Sequence, residues 1–224
     1  MTASRVVHHA DALPWLREHA PLAGASIITS LPDVSELNLP HGIVGWRAWF
    51  LDAATQVLGA IPDDGVAIFF QSDIRHAGRW VDKGALVSTA ATRAGADLLF
   101  HRIVCRKPPG TLTQGRASYS HLLAFARALP GDRPGPRRPA ADVIADAGFS
   151  PGTRAMGVNA CLAACRFVLD ETPTRTVVDP FCGYGTVLAV ANGLGLDAVG
   201  VDLSARMCRR ARTLEINPLR PSPE

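Results

Sequence analysis

The stretch TVVDPFCGYGTVL, from Thr176 to Leu188, restricts what this chain can fold into more than any other part of it. An apolar run ends at Asp179-Pro180, Gly183 and Gly185 follow with one residue between them, and a helical apolar run starts at Thr186. Glycines are needed where the backbone turns tightly and a ligand approaches with no Cβ in its way. An acid at the carboxyl end of such a strand projects into the crevice where open α/β sheets bind ligands. About twenty residues on, AVGVDLS closes a second strand with Asp202, where a carboxylate can accept hydrogen bonds from ribose hydroxyls. No lysine follows the glycines, so this is not a phosphate-binding loop, and the third glycine of a dinucleotide site is missing. The segment predicts a nucleoside site on a parallel sheet, placed unusually late in the chain.

The rest of the chain alternates short β-branched runs with longer helical ones, which favours a mostly parallel sheet covered by helices. Strands are predicted over 5–8, 26–30, 66–71, 98–106, 175–179 and 197–201, and helices over 42–61, 153–171, 186–194 and 204–215. The run 120–129 suits a helix nearly as well as an edge strand. KPPGTLTQG (107–115) reads as a long loop. PGDRPGPRRPAADV (130–143), rich in Pro, Gly and Arg, is expected to hold no regular structure and to connect two halves of one sheet. At 224 residues the length suits one sizeable α/β domain. The subdivision expected is 1–129, a connector 130–150, and a nucleoside-binding half over 151–217.

With these residues in view, DPFCGYGT resembles the S-adenosylmethionine-binding loop of the Rossmann-like methyltransferases, in the form typical of amino-methyltransferases of DNA and RNA bases. The resemblance implies a single domain with a seven-stranded, mostly parallel sheet and helices on both faces. It implies S-adenosyl-L-methionine as cofactor. Asp179 and Pro180, with the amides of Phe181, Cys182, Gly183 and Gly185, would cradle the methionine end of the donor, and Thr186 would sit at the helix start. Asp202 would take the ribose and Leu203 would lie against the adenine. RVVHHADALPWL (5–16) resembles the family's third strand and the acid after it, making Asp11, with Ala12, the adenine contact. The alternative for Asp11 is a cap on a short helix beginning near Pro14. SPGTRAMGVNACLAAC resembles the helix that completes the methionine pocket in permuted members, with Arg154 and Asn159 as polar candidates. The implied order is a circular permutation, which accounts for the late glycine turn.

TSLPD stands where the family carries its catalytic loop, making Ser30, Leu31, Pro32 and Asp33 the candidates. An exocyclic base amine is a poor nucleophile, because its lone pair is delocalised into the ring. In the family a polar side chain and a backbone carbonyl accept hydrogen bonds from the amine and aim it at the sulfonium methyl. Ser30 Oγ and the Leu31 carbonyl would be those acceptors, and Pro32 would stiffen the turn. Asp33 departs from the family, which has an aromatic there to stack on a flipped base. Either Trp46, Trp49 or Trp80 substitutes, or Asp33 reads a base edge or accepts a proton, or the target is not a stacked base. The bland alternative is a strand end turned by proline, with Asp33 as a cap.

TSLPD has no cysteine, which excludes the covalent route to carbon-5 of a pyrimidine. Cys161 and Cys165 share a helical face and read as buried small residues. The histidines show no metal spacing, so no metal site is expected. The segment Pro130–Ser150 is too short to read many base edges, although Arg133, Arg137 and Arg138 could meet phosphates. The expected partner is therefore nucleic acid, RNA ahead of DNA, with no membrane. A sequence-specific DNA amino-methyltransferase, a small-molecule N- or O-methyltransferase and a non-catalytic cofactor-binding module stand as alternatives. The mild charge of +3 is compatible with nucleic acid and does not demand it. With five cysteines and no apparent signal segment, the expectation is a reduced, cytoplasmic protein, either monomeric or homodimeric.

Overall fold

The computed structural model describes residues 3–128, 139–152 and 155–217. β1 (Arg5–His9) leads into α1 (Ala12–His19), β2 (Ala25–Thr29) into α2 (Gly42–Ala60), and β3 (Ala67–Gln71) into a hairpin of β4 (Ile74–His76) and β5 (Arg79–Val81). Then come α3 (Lys83–Ala94), β6 (Asp97–Cys105), β7 (Tyr119–Ala126), β8 (Val143–Ile144) and α4 (Val158–Glu171). β9 (Thr176–Asp179), α5 (Thr186–Gly193), β10 (Asp197–Asp202) and α6 (Ala205–Thr213) complete the described chain.

Eight strands form one sheet in the order β1-β10-β9-β2-β3-β7-β6-β8, and only β7 runs against its neighbours. Helices α1, α2 and α3 cover one face and α4, α5 and α6 the other, each over its own apolar core. Strands buried on both faces read as continuous apolar runs, which is why β2 and β3 are buried throughout.

Three expectations are corrected. Eight strands replace seven, because Val143–Ile144 pairs with β6 at the sheet's edge. Those two residues lie at the end of the segment expected to be irregular, and Ile103 N–H donates to the Asp142 carbonyl at 2.8 Å just ahead of them. The ambiguous run starting at 120 is a strand as far as Ala126, but an interior one, between β3 and β6. The hairpin and α3 carry no prediction of their own. No helix among the described residues is long and apolar enough to cross a membrane.

The switch in chain direction falls between β9 and β2. From β9 the chain proceeds to β10 on one side, and from β2 to β3 on the other. Ligands of open α/β sheets bind outside the carboxyl ends at such a point. Here the two halves are stitched by Thr29, whose hydroxyl donates to Asp179 Oδ1 at 2.7 Å.

Candidate active site

Four parallel strands deliver their carboxyl ends to one edge of the sheet: β1 brings Asp11, β10 brings Asp202, β9 brings Asp179 and β2 brings Ser30. Ala10 N–H donates to the Asp202 carbonyl at 3.2 Å, so the turn after β1 lies beside the turn after β10. Residues remote in sequence are thus neighbours because parallel pairing aligns strand ends.

The glycine turn leaves part of its backbone open to solvent space. Gly183 (φ +49°) and Gly185 (φ +80°) are both left-handed. A Cβ on Gly183 would meet nothing within 4 Å, whereas one on Gly185 would lie 2.7 Å from Ala211 Cα in α6. The second glycine therefore serves packing, and the first leaves open space above the backbone. No side chain caps α5, so its first N–H groups favour an anion. Thr186 Oγ1, at the same helix start, is buried without a hydrogen-bond partner. Asp202 accepts from Gly183 N–H at 2.9 Å and Ser204 N–H at 2.7 Å, which fixes its carboxylate against the turn with acceptor capacity to spare. Leu203 beside it is 73% exposed, an apolar face next to the Asp202 carboxylate. Asp11 accepts from Leu13 N–H at 3.1 Å and caps α1. The capping role is real, and it leaves the exposed carboxylate facing outward at the strand end. Ala12 is buried in α1 behind it.

Asp179 is fully buried, and burial pushes its carboxyl up to about 7, against the hydrogen bonds it accepts from Thr29 and from Phe181 N–H. Pro180 and Phe181 open the turn, and the Phe181 ring meets Trp49 edge-on at 6.0 Å. Cys182, like Cys161 and Cys165, is a buried free thiol, and burial raises all three well out of the thiolate range. Asn159 lies in the first turn of α4, and its amide donates to the Asp146 carbonyl at 3.2 Å; it fastens the approach to α4. Arg154, Arg133, Arg137 and Arg138 lie outside the described residues.

On the other side of the switch point, Ser30, Leu31 and Asp33 line a cleft of about 820 Å³. Pro32 turns the chain, and its carbonyl accepts from Trp46 Nε1 at 3.1 Å. Trp46 is wholly buried, so it is a strut for this turn and not a stacking platform. Asp33 is neither an aromatic substitute nor a free base. It ion-pairs at 2.5 Å with Lys83 Nζ, a lysine only 3% exposed at the start of α3, and it joins Glu36 in a capping box on the short turn Val34–Glu36. Trp80 is half-exposed, with its Nε1 donating to Asp73 at 3.1 Å.

The far wall of the cleft comes from the hairpin and the loop between β6 and β7. It carries exposed Arg75, Arg106 and Arg116, and an isolated bridge from Ile74 to Arg116 ties loop to hairpin. Sequence reading missed this wall, along with Thr29, Asp73 and Lys83. Each is placed by long-range pairing, and no local pattern marks it.

No protein-family model and no curated protein matches the chain. Solved structures do. A Thermus thermophilus protein, TTHA0409, provisionally assigned as a DNA modification methylase, superposes in its complex with S-adenosyl-L-methionine with a TM-score of 0.68 at 21% identity, over 92% of this chain and 91% of that one. The PvuII cytosine-N4-specific DNA methyltransferase gives 0.70 at 15% identity, over 97% and 89%. The M1.HpyAVI–S-adenosylmethionine complex gives 0.61 at 14%, over 93% and 97%. Over nearly its whole length, the chain shares the fold of these solved methyltransferases.

Proposed function

We propose that this protein transfers a methyl group from S-adenosyl-L-methionine to an exocyclic amino group of a base in nucleic acid. The observation that carries the reading is the convergence of Asp11, Asp202 and the open glycine turn on one side of the switch point, with Ser30 and its cleft on the other. The residues present fit the donor. The orphaned Thr186 hydroxyl, the uncapped α5 and the space over Gly183 suit a carboxylate end, and buried Asp179 suits an ammonium. Asp202 and Asp11 suit the ribose and adenine, with Leu203 as the apolar cover. When bound, the donor supplies an electrophilic methyl group. Ser30 Oγ and the Leu31 carbonyl accept hydrogen bonds from the target amine and turn its nitrogen toward that group. Lys83 holds Asp33, and through it the shape of the turn, so Asp33 acts as a positioning residue.

The preference for RNA over DNA gains no support. It rested on the short connector, yet the cleft has a recognition wall elsewhere, in the hairpin and the 106–116 loop. The solved relatives whose names state a substrate act on DNA. We place DNA at least level with RNA, since exposed Arg75, Arg106 and Arg116 suit phosphates of either. The reading includes a circular permutation, supported by β1 extending the β9–β10 pair in space while preceding it in sequence.

The test is transfer of labelled methyl from S-adenosyl-L-methionine to duplex DNA, single-stranded DNA, transfer RNA, ribosomal RNA and a metabolite extract, in parallel. Labelling of a nucleic acid, lost in Ser30→Ala with donor affinity intact, is the expected result. Asp202→Ala should do the reverse, weakening donor binding in calorimetry. Labelling of the metabolite pool alone, or donor binding with no transfer to any pool, would overturn the reading.

A further inference from the structure

A second polar cluster lies behind the cleft wall, and the chemistry above does not use it. His101 on β6 stands opposite Leu123 on β7, so His121, two residues earlier on β7, is its diagonal neighbour on the same face of the sheet. His101 Nε2 and His121 Nδ1 are 2.9 Å apart. The other nitrogen of His121, Nε2, is 3.2 Å from Asp73 Oδ1. Asp73 is buried and already accepts from Lys83 N–H at 2.8 Å and Trp80 Nε1 at 3.1 Å. An acceptor so placed draws the ring proton of His121 to Nε2 and leaves the Nδ1 lone pair pointing at His101. A carboxylate orienting the far nitrogen of an imidazole is the usual outer support of a metal-bound histidine.

Two further observations point to a ligand here. Asp82, which caps α3 through Ala85 N–H, has a carboxylate oxygen within 4.8 Å of ligand atoms of both His121 and Asp73. A Cβ on Gly84 would lie 3.2 Å from His121 Nδ1 and 3.3 Å from Asp82 Oδ1, so both atoms border one space that only glycine leaves open. Directly across from His121 on β3, Gln71 is wholly buried, and neither of its amide atoms has a hydrogen-bond partner. Buried unpaired amides are rare and call for a partner.

The geometry points to a divalent transition-metal site, zinc foremost, with His101 Nε2, His121 Nδ1 and an Asp82 oxygen as ligands and Asp73 as the outer partner. Two nitrogens bound at about 2.1 Å to one tetrahedral ion stand roughly 3.4 Å apart, so the imidazole pair, hydrogen-bonded at 2.9 Å, opens by about half an ångström to admit the ion. His101 and Asp82 are exposed, and His101, whose ring stands outside the compact group of Asp73, Asp82 and His121, turns toward Asp82 to complete the set. Mixed imidazole and carboxylate ligands suit zinc. Three protein ligands leave a fourth position for water. The ion would clip β6, β7 and the start of α3 together behind Asp73 and Lys83. The histidines lie too far apart along the chain to show ligand spacing, and only the β6–β7 register brings them together.

The test uses the tag-free full chain, stripped with chelator and titrated with Co²⁺ while its visible absorption is read. One equivalent should bind, with d–d bands that Zn²⁺ abolishes. His101→Ala, at an exposed position, and Asp82→Asn, which preserves the helix cap, should each weaken binding by about tenfold or more. The metal-free variants should melt where the metal-free parent does. No stoichiometric uptake by the parent chain would overturn the proposal. So would equal affinity in both variants, which would leave the imidazole pair as a hydrogen bond within the wall.

Discussion

Asp179 carries the carboxyl whose environment most opposes its charge. Burial lifts it to about 7, while in the unfolded chain it titrates near 3.8. Between those values the folded state holds a proton that the unfolded state has released. This contribution to stability therefore falls as pH rises from about 4 to about 7, and then levels off. Asp179→Asn, which keeps an acceptor for Thr29, should stabilise the protein at pH 8 by on the order of 1–4 kcal/mol and have little effect at pH 4. Urea unfolding at the two pH values checks this. If the carboxylate meets the donor's ammonium, binding must expel the proton. Calorimetry at pH 6.5 in two buffers of different ionisation enthalpy should then show proton release, absent in the asparagine variant.

At the scale of elements, the two glycines of the β9–α5 turn do different work, and the difference is measurable. Gly185→Ala drives a Cβ to 2.7 Å from the α6 backbone in a left-handed conformation, and should cost roughly 2–4 kcal/mol in urea unfolding. Gly183→Ala meets open space, so it should cost only about 1 kcal/mol of stability while lowering donor affinity by about tenfold or more, about 1.4 kcal/mol. The link between the β2 turn and α3 gives a second case. Lys83→Met strands the Asp33 carboxylate, which is 33% exposed and can hydrate in part, so a loss of about 1–3 kcal/mol is expected. Adding Asp33→Asn should recover part of that loss, and a double-mutant cycle reads the coupling. These two cases also mark how far the sequence was legible. The glycine turn could be read because strand, turn and helix are contiguous and each glycine answers a local need. Lys83 could not, because its partner is set by how α3 docks beside β2, and a lysine at a helix start has no pattern that marks it.

On the scale of the molecule, the alternation of runs predicted the mostly parallel sheet, and the strand ends gather Asp11, Ser30, Asp179 and Asp202 at one edge. What could not be read was the cleft wall. The hairpin strands are three residues each, too short for periodicity, and the arginines of β4 and the 106–116 loop meet only in three dimensions. If that wall meets phosphates, nucleic-acid affinity should fall steeply with salt. Replacing Arg75, Arg106 and Arg116 by glutamine should flatten the slope of log K against log salt by about 2–3 and spare donor affinity. The sheet's order also bears on how the chain comes into being. Among the described residues, β1 finds its sheet partner only in β10. A ribosome that has not yet translated Asp197 therefore holds β1 with no strand to dock on. That half of the sheet closes only once β10 has been made, and until then the unpaired edge of β1 is left for chaperones to shield.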